Sequence, residues 1–258
     1  MNSNYIFTYK NFGAVLNKYQ YSFHTKDIVA GTIFSIENKF VLIDIGANQV
    51  AFLPIEEITL NRVDNPIALL QLNEVREFYI LLFDNKSGQI LLSIRKVELI
   101  KAWKRIQQLY SENIILKAEL LKQNKGGYIV QIENIKGFIP KSHLIALKNK
   151  TKESHCDIKI LEYNENSNYL LMSEKCAYIQ NKSNIFKLGK ILEGTIDSIQ
   201  SYGLFVNIHH IQGLLHISEI NQTQQELEQN FHMGVKIRVM IIHIDYKQGR
   251  ITLSQQGI

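Results

Sequence analysis

Cysteine, proline and tryptophan are scarce in this chain, whose 258 residues include two, three and one of them. Cys156 and Cys176 stand alone, with no CxxC pair and no histidine at ligand spacing, which excludes a thiolate metal centre and fits a reduced compartment. Long apolar runs are missing as well. FYILLF and VMIIHI stop far short of the roughly 18 residues that span a bilayer, so the sequence predicts a soluble protein with no membrane contact. The opening MNSNYIFTYKNFG has no basic start followed by an apolar stretch, and no arginine, which argues against a secretory signal or an ordinary transit peptide. No GxGxxG or GxxxxGK pattern is present to cradle phosphates. No nucleophile–base pair, paired carboxylates or metal-ligand spacing stands out, so the expectation is a non-enzyme without cofactor, metal or small-molecule substrate. The adjacent His209 and His210 fall between two strand-like runs, where exposed turn histidines are common.

What charge there is sits unevenly. The net value is +5, yet residues 26–94 hold 5 Lys/Arg against 9 Asp/Glu, residues 95–186 hold 16 against 9, and residues 187–258 hold 6 of each. The basic middle suits a polyanion partner, and the acidic first part suits something else.

Self-similarity organises the chain. DNKSGQILLS (84–93), NENSNYLLMS (164–173) and DYKQGRITLS (245–254) align without gaps, each a turn between apolar runs, ending on Ser93, Ser173 and Ser254. Upstream of each lies a second matching block: VLIDIGANQVAFLPIEEI, YIVQIENIKGFIPKSHL and LFVNIHHIQGLLHISEI. These read as strand, turn, strand and a short polar segment, giving about five short strands per repeat and three small β-barrels. Between the first two repeats, Leu99, Ala102, Trp103, Ile106 and Leu109 recur at helical spacing, with Lys101, Lys104 and Arg105 elsewhere around the helix. This predicts an amphipathic connecting helix anchored to a barrel by Trp103. EKCAYIQNKSNIFKLG forms a less regular second linker. Phe12, Val15, Leu16 and Tyr19 also fall at helical spacing, in a segment too short to be stable undocked.

Within SYGLFVNIHHIQGLLHISEI (201–220), alternation sends Leu204, Val206 and Ile208 into a core and leaves Phe205 outside with Asn207. Leu215 and Ile217 point in, while Leu214 and His216 point out. Tyr202 has the wrong parity to join Phe205, but a bulge at Gly203 would bring both rings to one face. Asp245 and Arg250 bracket the last hairpin. Covering of Phe205 by a loop is the bland alternative, but two aromatics, a histidine and an arginine converging match single-stranded RNA, whose bases stack on rings while cations meet phosphates. The aligned positions are Lys39, Leu42 and Pro54 in the first repeat and Gly126, Ile129 and Pro140 in the second, so the stacking set is confined to the third.

The run GTIDSIQSYGLFVNI, followed by GLLHISEI and GRITLS, resembles the S-one RNA-binding repeat, an OB-fold barrel. That resemblance implies an all-β chain of three tandem five-stranded barrels joined by short helical linkers. It carries an RNA-binding role over to Tyr202, Phe205, His216, Asp245 and Arg250, although the turn before Arg250 is one residue longer than in many relatives. The ordered series, from ENKFVLIDIG through KGGYIVQIENIKGFIPKSHL to the YGLF repeat, is similar to the small-subunit ribosomal S-one family in its compact cyanobacterial and plastid form. The similarity runs from about Phe7 to Ser254.

The chain then divides into a docking segment (1–25), repeat one (26–94), connecting helix (95–113), repeat two (114–174), linker (175–189) and repeat three (190–255). The resemblance implies docking on the small ribosomal subunit through the N-terminal segment and repeat one, and binding of mRNA by the later repeats in support of translation initiation. Repeat two would add charge through Lys136, Lys141, Lys148, Lys150 and Lys152. Frequent Ile, Asn and Lys fit an AT-rich genome such as a plastid's, with a bacterial cytoplasm as the alternative location. The competing function is an accessory protein of an RNA-processing or degradation complex, since this repeat occurs there too. A ribonuclease would need a catalytic domain, for which the three repeats leave no room.

Overall fold

Strict alternation of side chains builds each repeat. In the computed structural model, which describes residues 22–47, 49–60, 64–84, 88–145, 155–220 and 229–258, β12 (Gly203–Ile208) buries Leu204, Val206 and Ile208 and turns Phe205 and Asn207 outward. Its neighbours β11 (Ile191–Gln200), β13 (Ile211–His216), β14 (Lys236–Asp245) and β15 (Arg250–Ser254) complete a closed barrel in the order β11-β12-β13-β15-β14. All neighbours pair antiparallel except β13 and β15, which run parallel.

The same order recurs twice. The first barrel contains β1 (Ile28–Ile36), β2 (Phe40–Asp44), β3 (Ala51–Pro54), β4 (Val75–Asp84) and β5 (Gln89–Ser93). The second contains β6 (Ile115–Gln123), β7 (Gly127–Ile132), β8 (Ile135–Pro140), β9 (His155–Asn164) and β10 (Tyr169–Ser173). Three five-stranded OB-type barrels are therefore present, as the resemblance implied. Each closes around an aliphatic plug: Ile33, Val41, Ile43, Leu53, Ile80 and Leu92 in the first, and Leu204, Val206, Leu215, Val239, Ile241 and Leu253 in the third, all fully buried. Burial of each such side chain is worth about 1.5–3 kcal/mol.

Closing so few strands demands sharp coiling, and a one-residue bulge recurs at matching places to supply it. The extra residue is Phe34, Leu121 or Asp197 in the first strand of each barrel and Leu81, Leu161 or Ile242 in the fourth. The bulge expected at Gly203 is thus on the opposite strand, between Ile196 and Ser198, facing Val206 and Phe205.

The three serines that mark the repeats in sequence are buried. Ser93 Oγ accepts the backbone N–H of Lys96 (2.8 Å) and Ser173 Oγ that of Cys176 (3.0 Å), capping the helices that follow, while Ser254 Oγ accepts from Gln256 (3.1 Å). An N-cap of this kind is worth about 1 kcal/mol.

Helix α1 (Ile94–Ser111) follows β5, and α2 (Glu174–Asn181) follows β10. In α1, Ala102, Trp103, Ile106 and Leu109 are buried and Lys101, Lys104 and Arg105 exposed, as the periodicity predicted, while Leu99 of the expected stripe is half-buried. Trp103 lies with its ring 6.4 Å from that of Tyr163 on β9, which anchors this part of α1 to the second barrel. The described chain parts into two compact units at residues 101 and 102, the first barrel in one and the second and third together in the other. Within the latter, Ile145 and Ile179 join the core of the third barrel, with Phe186.

Candidate nucleic-acid interface

The outward face of the third barrel is set by register. Phe205 on β12 lies beside Ser198 on β11 and Leu214 on β13, and Leu214 lies beside Thr252 on β15. One row toward the barrel end, His216 sits opposite Gly203. In the other direction Gln212 and Arg250 each precede the Gly213–Ile251 pair by one residue. His216 and Arg250 therefore flank Phe205 on a strip about 13 Å long, four residues at ~3.3 Å each.

Tyr202 joins this face from the β11–β12 turn. Its ring meets that of Phe205 edge-on, with centroids 6.2 Å apart and planes at 89°. Gly203 makes the approach possible without a bulge of its own. Its φ of +150° and the 2.3 Å separation between any Cβ and the Leu215 carbonyl oxygen admit no side chain. Tyr202 is nearly half exposed and Phe205 half-buried, so each ring keeps accessible surface.

His216 is oriented by its own segment. Its Nδ1 accepts the Ser218 backbone N–H (3.3 Å) and lies 2.8 Å from Ser218 Oγ, which leaves Nε2 as the ring nitrogen free to face a ligand. Asp245 is differently employed. Oδ1 accepts the backbone N–H groups of Lys247 (2.8 Å) and Gln248 (3.0 Å), and these bonds hold its carboxyl below the ordinary range. The carboxylate thus shapes the turn whose far strand starts at Arg250, its cross-strand partner. Tyr202, Phe205, Leu214, Gln212 and Arg250 all line one cleft of about 860 Å³.

On the second barrel, Lys136 on β8 and Lys141 in the following turn are exposed. The expected contributors Lys148, Lys150 and Lys152 lie outside the described residues, as does most of the 1–25 segment with Phe12, Val15, Leu16 and Tyr19. Of the five cations on α1, Arg95 stands 3.8 Å from Glu57, Lys101 pairs with Glu77 (2.6 Å) and Arg105 with Glu133 (4.0 Å). Among the described residues, no group of His, Cys, Asp and Glu side chains is arranged to hold a metal ion.

The pattern of the S1 RNA binding domain matches residues 22–95 and 185–256, the first and third barrels. Over 99% of its length the chain is 44% identical to the small ribosomal subunit protein bS1c of Porphyra purpurea, covering 98% of that protein. It is 43% identical over 98% of its length to bS1c of Pyropia yezoensis, covering 97%. It is also 43% identical over 98% to bS1A of Synechocystis, covering 78%. This chain belongs to the bS1 family of small-subunit ribosomal proteins.

Within this bS1 chain the barrels present different outward faces. The first carries Phe40 and Phe52, edge-on at 5.7 Å, at the positions of Gly203 and Leu214. The second carries Phe138, which corresponds to Leu214 and is paired with Ile129. Comparison of only the Tyr202, Phe205 and His216 positions missed these rings. The alternation in AFLP and GFIP, which puts the phenylalanine outside, was the signal that would have found them.

Proposed function

We infer that this protein works on the small ribosomal subunit of a plastid, where it binds mRNA as single-stranded RNA and supports translation initiation. The observation that carries the reading is the third-barrel face, where Tyr202 and Phe205 meet edge-on between His216 and Arg250, in a chain whose relatives match it end to end. Bases stack on the two rings, His216 and Arg250 meet the flanking phosphates, and Asp245 holds the hairpin from which Arg250 projects. Lys136 and Lys141 add a charge contact that is indifferent to sequence. The protein acts by binding, without catalysis, cofactor or metal.

Attachment to the subunit falls to the N-terminal segment and the first barrel. The acidic balance of residues 26–94, the outward Phe40–Phe52 pair and the exposed Phe34 of the β1 bulge suit a protein surface better than a phosphate backbone. The functional division follows the segments 1–25, 26–94, 95–113, 114–174, 175–189 and 190–255.

Replacing Tyr202 and Phe205 together by alanine tests the RNA contact. Fluorescence anisotropy with a labelled oligouridine should show a loss of about 1–3 kcal/mol per stacked base, roughly five- to 150-fold. Unchanged affinity would remove the stacking reading. Co-sedimentation tests attachment: the intact protein should travel with small subunits, and a chain lacking residues 1–95 should not.

A further inference from the structure

Matching positions of the first and second barrels carry opposite electrostatic logic. Three residues after Pro54, Glu57 accepts a 2.6 Å bond from Ser93 Oγ, and Arg95, two residues beyond that serine, stands 3.8 Å from the same carboxylate. Three residues after Pro140 the chain has His143, whose Nδ1 lies 3.0 Å from Ser173 Oγ, and the residue two beyond that serine is Lys175. An ion pair in the first barrel has become two basic side chains in the second.

Lys175 gains nothing locally from this. It sits in the first turn of α2, where the helix dipole disfavours a cation. It is half-buried, and burial together with the Arg250 charge holds its ammonium below the usual lysine range. His143 is held below the ordinary histidine value by burial and by Lys175 and Arg250. Among the described residues, no ion pair to a carboxylate includes His143, Lys175 or Arg250.

Packing of the β14–β15 hairpin on α2 brings these groups together. Gly249, with φ +64°, has room for a Cβ only 3.2 Å from both Cys176 Sγ and Lys175 Cβ, and Cys176 Sγ donates to the Lys247 carbonyl at 3.7 Å. His143, Lys175, Lys247 and Arg250 consequently line the same cleft as Tyr202 and Phe205, against one exposed carboxylate, Glu162. Lys175 of α2 and Arg250 and Lys247 of the third barrel thus converge beside the imidazole of His143, where a bound anion would relieve the repulsion among the three cations.

We propose that His143 and Lys175, with Arg250, form a phosphate-binding site at the junction of the second and third barrels, which takes the backbone of the RNA strand leaving the Tyr202–Phe205 platform. The proposal rests on the RNA reading of the third barrel and extends the strand's path toward the exposed Lys136 and Lys141 of the second.

His143→Glu tests it by restoring the first barrel's acid–base arrangement beside Lys175. In the full-length protein the variant should keep its thermal midpoint. Its affinity for a labelled 12-nucleotide oligouridine should fall about three- to fivefold, the scale of one partly screened charge contact. The slope of log affinity against log salt should drop by about 0.7 for the lost phosphate. Wild-type affinity and slope in a folded His143→Glu protein would overturn the proposal. The Tyr202→Ala/Phe205→Ala protein run alongside separates the two ideas, because its failure to weaken binding indicts the platform and not the junction. A second readout needs no variant: amine acetylation followed by mass spectrometry should show Lys175 protected by the oligouridine and Lys104 still reactive. Lys175 equally reactive with and without RNA, or protected by inorganic phosphate but not by RNA, would also overturn the assignment.

Discussion

Asp245 and His143 are side chains whose surroundings say more than their place in an alignment. Asp245 resembles a nucleic-acid contact by position, yet its Oδ1 accepts two backbone N–H groups of its own turn. Asp245→Asn keeps an acceptor there and should bind single-stranded RNA nearly as the natural protein does. Asp245→Ala should loosen the hairpin and weaken binding, as read by anisotropy. Equal losses in both would show that the charge itself matters. His143 predicts a pH effect. Burial, then Lys175 and Arg250, lower its value from 6.5, so the folded protein binds fewer protons at this site than the unfolded chain. The stability it contributes is complete above about pH 6.5 and is lost as pH falls from there through the lowered folded value. The thermal midpoint should therefore drop between pH 7.5 and 5.5, and drop less in His143→Gln. The role of His143 is not visible in sequence, because it depends on Ser173, Lys175 and Arg250 from other elements, whereas that of Asp245 is local to its turn.

At the scale of elements, what was legible followed a period. Alternation in LFVNI and GLLHI placed each side chain on its face, and the helical spacing of Ala102, Trp103, Ile106 and Leu109 gave the buried stripe of α1. The bulges were not legible. In the first strand their extra residues are Phe34, Leu121 and Asp197, which share no residue type, because closing the barrel requires the bend and residue chemistry does not. Helix α2 was read only as an irregular linker, since eight residues are too few for a helix to stand without tertiary support. Its support is the core of the third barrel, where Ile179 is fully buried. Ile179→Ala should thus cost about 2–5 kcal/mol, and chemical denaturation should show third-barrel residues destabilised although the substitution lies outside that barrel. A loss confined to the second barrel would contradict the shared core.

Across the described residues the three repeats share one architecture and diverge in their outer faces: the Phe40–Phe52 pair, a lysine-bearing barrel, and an aromatic pair flanked by His216 and Arg250. The sequence by itself determined the number of barrels, the inward and outward sides of their strands, the connecting helix and the family, because two-residue and helical periods and recurring turn residues are local properties. It also brought Tyr202, Phe205, His216 and Arg250 under suspicion as a set. Only the tertiary structure decided that Tyr202 meets Phe205 through the φ of Gly203, that Asp245 serves its turn, and that His143 and Lys175 share a cleft with Arg250. The first two turn on the exact backbone path of a single turn, and the third on how the β14–β15 hairpin packs against α2 far away in the chain; no side-chain period encodes either.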